Sequence, residues 1–186
     1  DFSEGKHQQA DSRPYGGGSG MVLMAEPVFK AIESARGPCS HVVYLTPQGK
    51  PLTAKRCKEL SLKNHLIILC GHYKGIDERV IDLHVDEEIS IGDFVLTSGA
   101  PAAVALVDSV SRFIPGVMGN EDSTKEDSFE EGLFDAPVYT RPPIFKGMAV
   151  PDVLLSGDHA KINKWRKDKA TKKTKLVRPD LVKVKS

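Results

Sequence analysis

The sequence predicts an α/β fold built on a parallel sheet with helices on both faces. Three observations predict it. His41–Leu45 (HVVYL) and His65–Cys70 (HLIILC) are near-continuous apolar runs, as expected of strands buried on both sides. Helical patterns alternate with them, Leu52–Leu60 between the two strands and a further helix beyond. The clearest, residues 101–114, sets Ala103, Leu106, Val107, Val110, Phe113 and Ile114 at i, i+3, i+4, i+7 spacing. Strands alternating with helices call for a sheet covered on both faces.

Taken in order, residues 1–21 are polar and end in Arg13-Pro14-Tyr15-Gly16-Gly17-Gly18-Ser19-Gly20-Met21. So much glycine resists regular structure, so this is read as loop. Pro27–Arg36 reads as a short helix stopped by Gly37-Pro38. The first strand, His41–Leu45, closes in a turn at Thr46-Pro47-Gln48-Gly49, and Leu52–Leu60 reads as helix. The second strand, His65–Cys70, ends at Gly71. Ile76–Val85 mixes helix and strand signals and stays unassigned. Ile89–Leu96 reads as a strand interrupted at Gly92-Asp93. Pro115-Gly116 ends the 101–114 helix, and residues 116–147 are loop-rich. A basic helix is expected around His159–Lys169, followed by a tail. No internal repeat is present.

The 186 residues, 40% of them hydrophobic, suit one globular domain with an appendage. No apolar run approaches the roughly 20 residues of a membrane span, so no membrane partner is expected. Asp1-Phe2-Ser3-Glu4 has no basic region ahead of an apolar stretch and no initiator Met. A signal peptide is therefore not expected, and the chain is read as beginning inside a longer gene product. Cys39, Cys57 and Cys70 are scattered, with no Cys-x-x-Cys and no zinc-ligand spacing. They read as reduced, buried thiols, and no metal centre is expected. The net charge of +1 hides an uneven distribution. Between Glu121 and Asp135 the only base is Lys125, whereas Lys161–Lys185 carries only Asp168 and Asp180 against many lysines and arginines. The basic tail points to a polyanionic partner, the alternative being a solvated helix face.

Several motifs carry potential chemistry. The Tyr15–Gly20 run is neither G-x-G-x-x-G nor a P-loop, but its glycines would let backbone approach a base or phosphate. Three turns follow strand-like runs: Thr46–Gly49, Gly71-His72-Tyr73-Lys74-Gly75 and Ile91-Gly92-Asp93. In α/β folds ligands bind outside the carboxyl ends of strands, where glycine clears space and backbone groups face the ligand. Asp108 and Arg112 are spaced i, i+4, either as a surface ion pair or to present the arginine to an anion. Asp127, in Glu126-Asp127-Ser128-Phe129, is a solvated carboxylate, a helix cap at Ser128 or a catalytic group.

Taken together, these residues resemble the TrmD family of bacterial tRNA (guanine-N1)-methyltransferases, of the SPOUT class. The matching stretches are DSRPYGGGSGM (11–21), VVYLTPQG (42–49), GIDERVIDLHVDEEISIGDFVL (75–96), VSRFIPGV (110–117), EDSFEEGL (126–133), YTRP (139–142), VPDVLLSGDHAKI (150–162) and RPDL (178–181). They cover nearly the whole chain in order. Against the family pattern, Gly71-His72-Tyr73-Lys74-Gly75 replaces Gly-Arg-Tyr-Glu-Gly, so Lys74 stands where a carboxylate is usual. Ser19 replaces a proline, Thr97-Ser98-Gly99-Ala100-Pro101 replaces Ser-Gly-Gly-Glu-Leu, and Ala102 stands where a proline is common. The family's N-terminal segment, with its first strand, is read as missing.

The resemblance implies a C-terminal trefoil knot in the α/β domain, followed by a small helical segment. Residues 1–147 would form the donor-binding and catalytic domain, with an interdomain linker at about 116–147. Residues 148–186 would be an incomplete tRNA-binding segment. The implied cofactor is S-adenosylmethionine, with magnesium left open. Its implied binding residues are Tyr44, Leu45, Thr46, Pro47, Gln48, Gly49, Gly71, Tyr73, Gly75, Ile91, Gly92, Asp93, Phe94, Val95, Leu96 and Gly99. Asp127 matches the family's proposed general base and Arg112 the residue proposed to stabilise charge on guanine O6. Arg13, Gly18, Gly20, His159, Lys161, Lys164 and Arg166 would contact RNA. The implied reaction is methylation of guanine N1 at tRNA position 37, by a cytoplasmic homodimer with active sites at the subunit interface. A SPOUT methyltransferase acting on another RNA, or an RNA-binding homologue with impaired catalysis, are the alternatives.

Overall fold

The computed structural model describes every residue except 1, 4–7, 120–127, 130–131 and 183–186. The chain divides into two compact units, Asp1–Met118 and Gly119–Ser186. In the first, β1 (Asp11–Ser12) pairs antiparallel with β2 (Val22–Leu23). Then follow α1 (Ala25–Ala35), β3 (Ser40–Pro51), α2 (Ala54–Ser61), β4 (His65–Cys70), α3 (Glu78–His84), β5 (Glu87–Ser90) and α4 (Ala100–Ser111). Strands β4, β3 and β5, in that order, form a parallel sheet.

The middle strand sets the core. Neighbouring residues of a strand point to opposite faces, yet Val42 and Val43 are both 0% exposed. Both faces are therefore covered. Val43 and Leu45 pack with Cys57 and Leu60 of α2 and with Leu106 and Val110 of α4. Val42 and Tyr44 pack with Val28 and Ile32 of α1 and with Ile76 and Val80 near α3. Burying each such aliphatic side chain contributes about 1.5–3 kcal/mol.

Where the sequence signals were mixed, capping decides. The Asp77 carboxylate accepts from the Arg79 backbone N–H at 3.0 Å and starts α3. Glu78 in the first turn and His84 in the last suit the helix dipole. The Thr53 hydroxyl caps α2 in the same way.

Four expectations are corrected. Strand β3 does not end at Leu45 but resumes at Lys50, so Ile89 pairs first with Leu45 and again with Lys50. Thr46–Gly49 is thus an excursion between two paired stretches rather than a terminal turn. Strand β5 ends at Ser90, and Ile91–Gly99 is loop, because a Ser90–Gly92 turn breaks the ladder. In α4 the buried line is Ala102, Leu106 and Val110, while Val107 is 53% exposed. The fully buried line is i, i+4, i+8, with Ala103 and Phe113 packed partly buried beside it, so Val107 falls outside the contact. Cys39 is exposed, Cys70 partly buried and Cys57 buried.

In the second unit β6 (Ile144–Phe145) and β7 (Met148–Ala149) form a hairpin. Its two turn residues, Lys146 and Gly147, both take positive φ, as the tight twisted turn requires. Helix α5 (Asp152–Leu155) precedes α6 (His159–Val177) and α7 (Pro179–Val182). The basic helix runs past the expected Lys169 because it has a buried anchor. The Thr174 hydroxyl, fully buried, donates to the Ala170 carbonyl and accepts from the Phe134 N–H, both at 2.8 Å. Among the described residues no helix is long and apolar enough to cross a membrane.

Candidate active site

The three strands of the sheet open at their carboxyl ends into a cavity of about 560 Å³. Its walls are the loops that leave those strands. Tyr44–Gln48 comes from β3, Gly71–Ile76 from β4, and Ser90–Gly92 with Phe94–Gly99 from β5. Val22, Glu78, Ile81, Ile89 and Ala102 complete the lining.

Backbone hydrogen bonds tie the walls together. The Gly99 N–H donates to the Gly71 carbonyl at 2.9 Å, joining the β4 loop to the start of α4. The Leu52 N–H donates to the Ser90 carbonyl at 2.8 Å. The Ser90 hydroxyl both donates to the Gly92 carbonyl and accepts from the Gly92 N–H, holding that turn. Glycine is required where these loops touch. A Cβ at Gly99 would lie 2.9 Å from the Cys70 Cα, and one at Gly71 would lie 3.2 Å from the Tyr44 hydroxyl.

The walls mix apolar and polar side chains, Thr46, Gln48, His72, Lys74 and Ser90 among the latter. The buried Tyr44 ring sets its hydroxyl at the cavity wall, near Thr46. Burial, then the charges of Glu88 and Glu78, push its pKa up, so it stays a neutral hydrogen-bonding group. Tyr73 takes φ +62, and the nearby Asp11 carboxylate raises its phenol pKa.

The glycine-rich loop closes one side. The Lys74 N–H donates to the Met21 carbonyl and the Leu23 N–H to the Gly75 carbonyl, both at 3.0 Å. The Lys74 ammonium lies 3.3 Å from where a Gly18 Cβ would stand.

Comparison with known proteins gives this geometry a context. The family model described as "tRNA (Guanine-1)-methyltransferase TrmD" matches residues 1–184. The chain belongs to the TrmD family. It is 57% identical over 182 residues to the tRNA (guanine-N(1)-)-methyltransferase of Protochlamydia amoebophila (strain UWE25), covering 98% of this chain and 82% of that protein. It is 57% identical over 181 residues to the protein of the same name from Chlamydia pneumoniae, covering 97% of this chain and 50% of that one. With the Chlamydia trachomatis serovar D protein, also so named, identity is 56% over 181 residues, again 97% of this chain and 51% of that one. The chain thus spans about half the length of these two chlamydial relatives.

On this TrmD-family chain the residues expected to hold the donor line the cavity, with two exceptions. Gly49 lies against the β5 backbone instead, and Asp93 is exposed outside the lining. Sequence reasoning left Val22, Ile76, Glu78, Ser98 and Ala102 out of the site. Glu78 adjoins the Asp77 cap and Ala102 lies on the buried line of α4, so each carried a structural signal only. Arg112 is exposed at the carboxyl end of α4, outside the lining. Asp127 lies outside the described residues. Arg13, Gly18 and Gly20 are exposed on the glycine-rich loop. In the second unit His159, Lys161, Lys164 and Arg166 are exposed on α6, and Lys161 pairs with Asp158 at 2.9 Å. Trp165 is half-buried beside Tyr139, with the Lys169 ammonium 5.6 Å from its ring centre.

Proposed function

We propose that this chain methylates guanine N1 in tRNA, at position 37 beside the anticodon, using S-adenosylmethionine. The observation that carries the reading is the cavity at the carboxyl ends of the strands in a chain of the TrmD family. Its volume falls within the roughly 300–1,000 Å³ of small-molecule sites. Its glycine-cleared walls present backbone groups and apolar side chains, which suits an adenosine-bearing ligand. Glu78 is a lining carboxylate that would attract the donor's cationic end. The notch between Tyr44–Gln48, Gly71–Gly75 and Ile91–Gly99 is the proposed donor seat.

When bound, the donor supplies an electrophilic methyl group. The chain's own residues would hold guanine in line and move one proton. Guanine N1 bears that proton and is a poor nucleophile until it leaves. Asp127 is the proposed base, a role worth about 10²–10⁴ in rate. Arg112 is the proposed electrostatic partner of the charge that develops on O6. Lys161, Lys164, Arg166 and His159 would position the RNA through its phosphates while the cavity reads the base. In this reading residues 1–147 carry catalysis, with a linker at about 116–147, and residues 148–186 grip tRNA. The boundary between the two compact units, Met118/Gly119, falls within that linker. A SPOUT trefoil knot, a homodimer with shared active sites, a cytoplasmic setting and a magnesium contribution belong to the same proposal. The exposed Val104 and Val107 on α4 offer apolar surface for a second copy.

The test is methyl transfer from labelled donor to unmodified tRNA, with the product nucleoside identified. The reading expects 1-methylguanosine at position 37. Label on another nucleoside would point to a different RNA substrate, and tRNA binding without transfer to an RNA-binding homologue.

A further inference from the structure

Tyr15 sits on the glycine-rich loop with its side chain wholly exposed to solvent. A single exposed aromatic is ordinary, but this one is displayed by a braced segment. The β1–β2 pairing closes the base of the loop, and the Gly17 N–H donates to the Pro14 carbonyl. The far end is bonded to the cavity wall at Lys74 and Gly75. The ring is therefore presented by backbone that is already organised, on a loop bonded to the cavity wall.

A cation shares its loop. The Lys74 ammonium rests on the same loop, 3.3 Å from the Cβ position of Gly18, and Lys74 lines the cavity. The Arg79 guanidinium is held charged chiefly by its Asp77 partner, with a smaller contribution from Tyr15. An aromatic face interleaved with bases beside a pocket is the usual equipment for a single-stranded nucleic acid.

A guanine that enters the cavity must leave its stack, and its neighbour in the strand then loses a partner. We infer that Tyr15 stacks on a nucleobase adjacent to the guanine in the cavity, and that the Lys74 ammonium takes the phosphate between the two. This rests on the tRNA-methylating function proposed above. It adds a positioning residue whose ring, not its hydroxyl, matters.

The experiment uses the full chain, its Tyr15→Ala and Tyr15→Phe variants, and unmodified tRNA. It also uses an anticodon stem-loop carrying 2-aminopurine on either side of the target guanine. Loss of one base–aromatic stack should raise the Kd and KM for tRNA by about 5- to 100-fold in Tyr15→Ala. Tyr15→Phe should match the parent. Fluorescence of 2-aminopurine on one side should be quenched by the parent and by Tyr15→Phe, and restored with Tyr15→Ala. Donor Kd by calorimetry and Tm should not move. Unchanged tRNA affinity in Tyr15→Ala, or a hydroxyl-dependent loss in Tyr15→Phe, would overturn the inference. So would a Tyr15→Ala effect explained by altered donor binding, Tm or oligomeric state. A parent that binds tRNA but transfers no methyl would defeat the functional reading alone, because the binding and fluorescence arms still decide stacking.

Discussion

Replacing Gly49 by alanine probes the geometry that holds the cavity open. A Cβ at this position would stand 2.4 Å from the Ile89 nitrogen and 2.5 Å from the Glu88 carbonyl carbon. Both atoms are backbone, so no rotamer relieves the clash. Gly49 does not lie in the left-handed region, so alanine suffers no conformational penalty there. A narrower unfolded ensemble would even favour alanine by about 0.4–1 kcal/mol. The steric effect outweighs this. Relief requires the end of β5 to move off β3, giving up the Lys50–Ile89 and Pro51–Ser90 pairing and the Leu52-to-Ser90 bond. Each lost hydrogen bond is worth about 1 kcal/mol net. Exposing part of Ile89, now 1% exposed, costs up to about 1.5–3 kcal/mol. The expected loss is about 3–5 kcal/mol from a total of about 5–15 kcal/mol. Urea unfolding should show a lower midpoint with an unchanged slope. Donor binding by calorimetry should weaken by about tenfold or more, since Gln48 and Ser90 both line the cavity. Gly17→Ala is the control: its φ is +81 but nothing lies within 4 Å of the added carbon, so only about 1–2 kcal/mol of backbone strain is expected. A Gly49→Ala protein as stable as the parent, with the parent's donor affinity, would refute the reasoning.

Three other outcomes are expected. Asp127→Asn should leave donor binding intact and cut turnover by about 10² or more; turnover near the parent's would remove Asp127 from the mechanism. Lys164→Glu with Arg166→Glu should weaken tRNA binding and flatten its salt dependence without touching donor affinity, because fewer counterions are released. An unchanged salt slope would make α6 a solvated face only. Lys74→Glu removes a cation from the wall of the proposed donor site, a like-charge contact worth roughly 1 kcal/mol at 4 Å in water. The ammonium already leans on Gly18, so donor affinity should rise by no more than about tenfold. Any magnesium dependence of turnover should increase, since the hard cation prefers carboxylate oxygen. Weaker donor binding would show instead that Lys74 contacts the donor favourably.

Much of the site was legible from local pattern. The strand His65–Cys70 has the bounds its apolar run announces, because a strand half-covered along its whole length leaves a continuous signature. The glycine turns after β4 and β5 marked cavity walls, since a ligand-facing loop needs small residues wherever they fall. Ile76–Val85 resisted assignment because its outcome hangs on the Asp77 cap, a single local contact. Gly49 carried a signal whose reason lay outside the local window. Its small size leaves room for the backbone of β5.

The sequence by itself determined the α/β class, the family, the approximate places of α1, α2, β4, α4 and the start of β3, and most of the cavity lining. Periodicity records which side of an element is apolar, and glycine records where a side chain cannot fit; both are local. The tertiary structure alone decided that β3 resumes beyond Thr46–Gly49, that Val107 stays outside while Leu106 is buried, and that Glu78 joins the lining. It also decided that the glycine-rich loop meets Lys74, some fifty positions away in the chain. Those outcomes depend on the strand order β4-β3-β5, which brings the loops of distant segments to one edge of the sheet. Strand order is a property of long-range pairing, and no short window of sequence contains it.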